Sequence, residues 1–387
     1  MWKAKRRRKE VCNLQQYEQH KNNLRVIISG GGTGGHIFPA IAIANAIKKI
    51  NPQAEILFVG AKDRIEMEKV PASGYKIEGL WISGLKRELS VDNLSFPLKV
   101  VSSLYNAHKI INKFKPHVAV GVGGYASGPL LYVANAKGIP TLIQEQNSYP
   151  GITNKMLAKK AKLICVAYEG MENFFPADKI VMTGNPVREN ILDISSKKKE
   201  ALQFFGLDEN KKTILVVGGS QGARSINQAI VNDLQKIADA GVQLVWQTGK
   251  SFSPIAAQGL EKVTSTSLRA FEFISKMDLA YAIADVVISR AGASTVSELC
   301  IVGKPAIMVP LPTAAEDHQT KNIQALVNKN AAVMIKDTDT RKKLVDTALS
   351  LIKNENELNT LKNNISKLAL PNSADVIAKE VIALAGF

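Results

Sequence analysis

Residues 24–39 read LRVIISGGGTGGHIFP, and their interpretation governs the rest of the chain. Leu24–Ser29 is a short apolar run of the kind that forms a strand buried on both faces. Gly30, Gly32 and Gly35 then satisfy GxGxxG immediately after that strand. A tight turn at positive φ, or backbone brought close to a phosphate, leaves no room for a Cβ, so glycine is the residue type required. A helix is predicted from Phe38 to Ile50, with Pro39 in the first turn where a missing N–H costs nothing. Its N-terminus would offer unpaired N–H groups and a positive dipole end to an anion. A dinucleotide site normally adds an acidic residue at the end of the second strand. Here that strand, Glu55–Val59, ends in Phe58-Val59-Gly60 with Glu55 at its start, which weakens a nicotinamide reading.

The alternation continues outward from this stretch. Strands are expected at Tyr75–Trp81, Val118–Val122, Thr141–Gln144 and Leu163–Val166, with a long helix over Phe96–Phe114. The pattern restarts with strand Thr213–Val217, the turn Gly218–Gly222 and a helix over Ala223–Ala240. Val242–Gln247, Phe271–Ile274, Val286–Ser289, Ala306–Val309 and Ala332–Ile335 supply further strands. Repeated βαβ units imply parallel sheets covered on both faces. The fold class is therefore α/β, with two Rossmann-like doubly wound domains facing an interdomain cleft. The expected divisions are a disordered basic extension over 1–23, an N-terminal domain over 24–187 and a C-terminal domain over 188–370. A final helix in 371–387 is expected to cross back to the first domain.

At 387 residues and 45% hydrophobic, the chain suits two globular domains, and it has no apolar run long enough to cross a bilayer. No signal-peptide h-region follows the basic N-terminus. Three widely spaced cysteines, Cys12, Cys165 and Cys300, suit a reducing cytoplasm and argue against a structural zinc site. Of the net charge of +16, residues 1–23 carry 7 Lys/Arg against 2 Asp/Glu, and residues 24–185 carry 19 against 11. An excess confined to the tail and first half fits a face laid on an anionic surface or an anionic substrate, with plain solubility as the other reading. Nucleic acid would account for the charge alone and leave the glycine turns unexplained.

Two further turns bear on the first. GGSQGAR (Gly218–Arg224) occupies the same topological place in the second half, and SRAGASTVSE (Ser289–Glu298) is a third strand–turn–helix junction, carrying Glu298. Several helix N-termini at one cleft would stabilise a diphosphate leaving group. Glu298 reads either as a grip on ribose hydroxyls or as a helix-surface carboxylate. With GGGTGGHIFPAIAIA, GGYASGP, EQNSYPGITNK, TGNPVR and EDHQTKN, these motifs resemble the MurG family in order and spacing from about Leu24 to Val333. The one departure is the basic N-terminal extension.

The resemblance implies a GT-B glycosyltransferase that moves N-acetylglucosamine from UDP-N-acetylglucosamine to an undecaprenyl-linked muramoyl acceptor with inversion, forming a β-1,4 linkage in peptidoglycan synthesis. Another GT-B UDP-sugar enzyme, a lipid glycosyltransferase or an epimerase, is the alternative. By resemblance, Thr33, Gly34 and Gly35 line the cleft near the diphosphates, and Asn147 and Arg188 contact donor or sugar. Ser220 meets the donor phosphates, and Ile274 presents backbone to uracil. Ala293, Ser294, Thr295, Val296 and Ser297 make helix-start contacts, Glu298 meets the ribose, and Gln319 meets the transferred sugar. His36, at a helix start that disfavours imidazolium, is a candidate base, and Glu145 is its rival. Asp337-Thr338-Asp339 is read as a helix cap away from the cleft, so neither a cofactor nor an obligatory metal is expected. The lipid acceptor implies a peripheral enzyme on the cytoplasmic face of the bacterial inner membrane. Trp81, Ile82, Leu85, Lys86, Arg87 and Phe96 are the candidate membrane contacts, apolar side chains ringed by cations. A partly buried loop and helix is the other reading of that segment.

Overall fold

The computed structural model describes residues 23–84, 95–219 and 221–387. The expectations placed on the extension up to residue 22, on Leu85, Lys86 and Arg87, and on Ser220 lie outside the described residues. The first half begins β1 (Arg25–Ser29), α1 (Gly34–Ile50), β2 (Glu55–Ala61), α2 (Glu66–Ala72), β3 (Lys76–Leu80) and α3 (Phe96–Phe114). It continues β4 (Val118–Gly121), α4 (Ser127–Ala136), β5 (Thr141–Glu145), α5 (Ile152–Ala158), β6 (Leu163–Val166) and β7 (Ile180–Met182). Helix α6 (Lys198–Phe205) leads into the second half: β8 (Thr213–Val217), α7 (Arg224–Asn232), α8 (Leu234–Asp239), β9 (Gln243–Gln247), α9 (Ser253–Glu261) and β10 (Leu268–Phe271). Then come α10 (Met277–Ile283), β11 (Val286–Ser289), α11 (Ala293–Val302), β12 (Ala306–Met308), α12 (His318–Val327) and β13 (Val333–Met334). Helices α13 (Thr340–Lys353), α14 (Glu355–Ser366) and α15 (Ser373–Leu384) close the chain.

The strands form a seven-stranded sheet in the order β3-β2-β1-β4-β5-β6-β7 and a six-stranded sheet in the order β10-β9-β8-β11-β12-β13. Every pairing is parallel. Burial on both faces explains the unbroken apolar runs. Val26 and Ile28 enter one core layer, with α1 and α15, while Ile27 between them enters the opposite layer. The second sheet alternates likewise, Ile214 and Val216 on one side and Leu215 on the other. In both sheets the order reverses beside the first strand, between β1 and β4 and between β8 and β11. Ligand crevices of doubly wound sheets open at that reversal, beyond the carboxyl ends of the strands.

Three elements differ from expectation for physical reasons. Helix α1 starts at Gly34 rather than Phe38, with Thr33 in extended conformation as its N-cap. Pro39 therefore lies inside the helix, and the Gly35 carbonyl loses the N–H that would bond it four residues on. The helix expected over Ala223–Ala240 is broken at Asp233 into α7 and α8. Strand β7 was not anticipated; at three residues, Ile180–Met182, it is too short to show a pattern. Helix α15 packs on α1 and buries Ile377, Ala378 and Val381 completely.

The membrane-facing segment is corrected. Ile82 is buried in the first-half core and is not free to meet a lipid surface, whereas Phe96 is half-buried. Trp81 is exposed, with Lys99 Nζ 5.8 Å from its ring centre. Ser103, Ala107 and Ile111 turn one stripe of α3 into the core. The opposite stripe exposes Leu98, Val101 and Tyr105, spaced three and four residues apart, beside exposed His108 and Lys109.

Candidate active site

The first glycine turn is built by contacts that a Cβ would forbid. A Cβ on Gly31 would stand 2.2 Å from Glu66 Oε1, and one on Gly124 (φ +88) would stand 2.4 Å from the Gly31 carbonyl oxygen. The turn after β1 and the GGYASGP turn after β4 thus meet backbone to backbone at the strand-order reversal. Ser127 Oγ bonds the carbonyls of Ser29 and Gly123, at 2.9 Å each, and so ties the two turns together. Glu66 is fully buried beneath them, accepting from Gly32 N at 2.8 Å and from Ala61 N at 3.0 Å. One N–H of the presumed anion cradle is therefore already held by the protein's own carboxylate. No acid at the end of β2 hinted at this, because Glu66 reaches back from the start of α2.

His36 sits in the first turn of α1, half-buried, with Nδ1 3.0 Å from Gly31 O and 3.3 Å from Thr33 Oγ1. A carbonyl oxygen only accepts, so Nδ1 carries the proton and Nε2 keeps the free lone pair. A Cβ on Gly123 would come within 2.9 Å of Nε2, so the glycine makes space for the ring edge. Burial holds the imidazole below its ordinary value of 6.5; the carboxylates of Glu145 and Glu66 pull it upward and His318 pushes it down. The first cause of the lowering is burial. Neutral His36 with an unspent Nε2 is equipped to accept a proton near pH 7.

Glu145 is occupied otherwise. Its Oε1 accepts from Asn147 N at 3.0 Å and Asn147 Nδ2 at 3.2 Å; its Oε2 accepts from Gly151 N at 3.1 Å and Asn154 Nδ2 at 2.8 Å. Four donors use the four lone-pair positions of a carboxylate. The geometry makes Glu145 the anchor of the EQNSYPGITNK loop, with no lone pair left to take a proton.

The second half gathers the donor-side residues. Gly219 and Gly222 adopt φ of +87 and +77, and a Cβ on Gly222 would stand 2.1 Å from Thr248 O. Gln247 at the end of β9 donates to Gly219 O at 2.9 Å and accepts from Ile274 N at 2.8 Å. It ties the turn to the segment expected to meet uracil, and the Ile274 N–H is already spent. Gly292, Ser294 and Thr295 are half-buried at the opening of α11, whereas Val296 and Ala293 are core residues. Ser297 Oγ accepts from Asn185 Nδ2 at 3.0 Å.

Glu298 is buried, not a helix-surface group. Arg188 Nε donates to its Oε1 at 3.1 Å and Tyr281 OH to its Oε2 at 3.0 Å. Burial pushes the carboxyl upward, while Arg188 and the Tyr281 hydrogen bond pull it back. Arg188 and Glu298 act as one pair, and Tyr281, which the sequence did not single out, completes it. Asp337 is corrected as well: it accepts from Arg290 Nη1 at 2.6 Å and from Ser225 Oγ. It thus joins the second and third glycine-type turns and is not remote from them, while Asp339 of the same triplet stands at the N-cap of α13.

The halves meet through the strand-end loops. Asn322 of α12 accepts from Ser148 N at 2.9 Å and Ser148 Oγ at 3.1 Å, and donates to Asn147 Oδ1 at 3.1 Å. Gln319, one turn earlier, accepts from Leu311 N at 2.9 Å. Thr33 and Gly35 are exposed and Gly34 half-buried, facing the opening. The structure thus places His36, Asn147, Gln319 and the second-half turns beyond the carboxyl ends of the strands of the two sheets. A separate cavity of about 370 Å³ between the halves is lined by Tyr168, Cys300, Lys329 and Leu368, and by neither glycine turn.

Comparison with known proteins agrees with this geometry. Residues 26–166 match the glycosyltransferase family 28 N-terminal domain, and residues 213–379 match the glycosyltransferase family 28 C-terminal domain. A "UDP-N-acetylglucosamine--N-acetylmuramyl-(pentapeptide) pyrophosphoryl-undecaprenol N-acetylglucosamine transferase" of Parabacteroides distasonis is 59% identical over 93% of this chain and 98% of its own length. The protein of the same name from Cytophaga hutchinsonii is 56% identical over 93% and 96%. The crystal structure of Acinetobacter baumannii MurG superposes with a TM-score of 0.77 at 27% identity, over 93% of this chain and 99% of that one. A Neisseria meningitidis UDP-GlcNAc 2-epimerase shares the fold at 15% identity, with a TM-score of 0.65. Two parallel sheets, a cleft at both strand-order reversals and relatives alike over nearly their whole length lead to one assignment: the chain belongs to glycosyltransferase family 28, among the MurG transferases.

Proposed function

We propose that this chain transfers N-acetylglucosamine from UDP-N-acetylglucosamine to the muramoyl sugar of undecaprenyl-pyrophosphoryl-N-acetylmuramoyl-pentapeptide, the step that completes the lipid precursor of peptidoglycan. The observation that carries the reading is His36, a half-buried imidazole held below its ordinary value by desolvation, with one nitrogen bonded to Gly31 O and the other unspent. In the reaction, His36 Nε2 takes the proton of the acceptor hydroxyl as its oxygen attacks the anomeric carbon. The bond from that carbon to the UDP phosphate oxygen breaks on the opposite side, and configuration inverts. Backbone N–H groups at the starts of α7 and α11 receive the leaving diphosphate's charge, so no divalent metal or other cofactor is required. Thr33, Gly34 and Gly35 face the acceptor. Arg188 and Glu298 position the donor ribose, and the Ile274 carbonyl meets uracil. Asn147 and Gln319 meet the transferred sugar, and Ser220 meets the phosphates.

The enzyme works as a peripheral protein at the cytoplasmic face of the inner membrane, serving cell-wall synthesis and with it cell shape and division. Among the described residues no helix is long and apolar enough to cross a membrane. The exposed stripe of Leu98, Val101 and Tyr105, with Trp81, His108 and Lys109 nearby, is the surface that suits an anionic leaflet. Nucleic acid has no part in this reading. Thermal unfolding with UDP, NAD or an oligonucleotide tests the site: UDP alone raises the melting temperature, and a larger rise with NAD overturns the assignment.

A further inference from the structure

The peptide between Gly31 and Gly32 is bonded on both sides. Its N–H, on Gly32, donates to Glu66 Oε2 at 2.8 Å, and its C=O, on Gly31, accepts from His36 Nδ1 at 3.0 Å. A trans peptide points these two groups in opposite directions, so Glu66 and the imidazole lie at the two ends of one rigid plane. The other Glu66 oxygen is fixed by Ala61 N at 3.0 Å, and the side chain is fully buried. Gly31 has no Cβ to displace the carboxylate, and Gly60, on the same side, would meet Glu66 Cγ at 2.5 Å if it had one. Two glycines therefore clear the seat of a single acidic side chain.

We propose that Glu66 is a positioning residue for the transfer reaction, holding His36 through the Gly31–Gly32 peptide as a base with Nε2 directed to the acceptor. The inference rests on the reading of His36 as the base. A carboxylate accepting from the peptide N–H polarises that peptide and strengthens its carbonyl as an acceptor for Nδ1–H. The carbonyl in turn fixes the tautomer, because it can only accept. The arrangement does what a carboxylate bonded directly to a catalytic histidine does, with one peptide unit interposed. It also assigns a task to a fully buried acid that makes no salt bridge among the described residues. The titratable groups facing His36 are Glu66 from α2, Glu145 from the end of β5 and His318 from the start of α12.

A double-mutant cycle tests this on the full chain, with turnover measured by sugar transfer and folding by thermal melting and UDP binding. Glu66→Gln keeps the shape but faces two N–H donors with one oxygen. It lowers kcat by ~10-fold or more with the donor KM within about twofold, because the donor site lies in the other half. In a His36→Ala background the same substitution costs less than about twofold, since the residue through which it acts is gone. The acidic limb of kcat/KM also moves to lower pH in Glu66→Gln, because a carboxylate that favours imidazolium has been removed. An equal loss in both backgrounds, or an unmoved limb, overturns the proposal and leaves Glu66 a structural anchor. Turnover of His36→Ala near that of the wild type is a different failure, which removes the base reading itself. If Glu66→Gln does not fold, Glu66→Asp, which keeps the charge and shortens the reach, is run in the same two backgrounds with the same criterion.

Discussion

Four hydrogen-bond donors surround the Glu145 carboxylate, while His36 Nε2 has no hydrogen-bond partner among the described residues. That difference separates two side chains which the sequence alone leaves as rivals, since both belong to motifs bordering the same cleft. Replacing His36 by Ala is expected to lower turnover by ~10²–10⁴-fold with UDP affinity retained, the range of a general base. Turnover within threefold of wild type would exclude the role. The pH dependence follows from the direction of the shift. Burial lowers the folded-state value below 6.5, and the base works only when neutral. The midpoint of the acidic fall in rate therefore lies below pH 6.5, and a midpoint above 6.5 would contradict the lowered imidazole. Glu66 and Tyr281 escaped notice because their roles depend on burial. One is six residues beyond the end of the Phe58-Val59-Gly60 strand terminus, and the other sits mid-helix in α10.

At the level of elements, the strand–turn–helix units were legible because buried parallel strands read as unbroken apolar runs. β6, β8 and β11 match the expected bounds residue for residue. The failures have local causes. Phe271–Ile274 was read one turn late: the strand is Leu268–Phe271, and Ile274 lies beyond it, held by Gln247. The glycines of the first turn looked like loop, yet Gly34 and Gly35 already belong to α1. Packing of two turns backbone to backbone makes a test of the junction. Gly124→Ala forces a Cβ to 2.4 Å from Gly31 O at φ +88, whereas Gly74→Ala, at φ +84, meets nothing within 4 Å. Gly74→Ala costs about 1–2 kcal/mol from backbone strain alone, and Gly124→Ala costs more and also slows turnover, because the Gly31 carbonyl is His36's partner. Equal melting temperatures for the two variants would refute the close approach.

For the whole molecule, the duplicated sheets and the cleft followed from two glycine turns in equivalent places, but the work of the turns did not. The turn at Gly218 is braced by Gln247, Ser225 and Asp337, and its helix start is the one proposed to receive the diphosphate. The turn at Gly30 is closed from within by Glu66 and serves to present His36. The proposed membrane-facing surface shifted between sequence and structure. Amphipathic character pointed to Leu80–Lys99, but burial removes Ile82 and exposes the α3 stripe instead. Serine at Leu98, Val101 and Tyr105 together is expected to reduce flotation with anionic vesicles severalfold and leave UDP binding intact, and undiminished flotation would dismiss that face.

The central claim is chemical, and one assay meets it directly: transfer of radiolabelled N-acetylglucosamine from its UDP donor to a short-chain undecaprenyl-type muramoyl-pentapeptide acceptor, with wild type and His36→Ala in parallel. Wild type yields labelled disaccharide-lipid, and the variant loses ~10²-fold or more of that activity. Failure of the folded, UDP-binding wild type to label that acceptor would contradict the claim, and so would equal labelling by the two proteins.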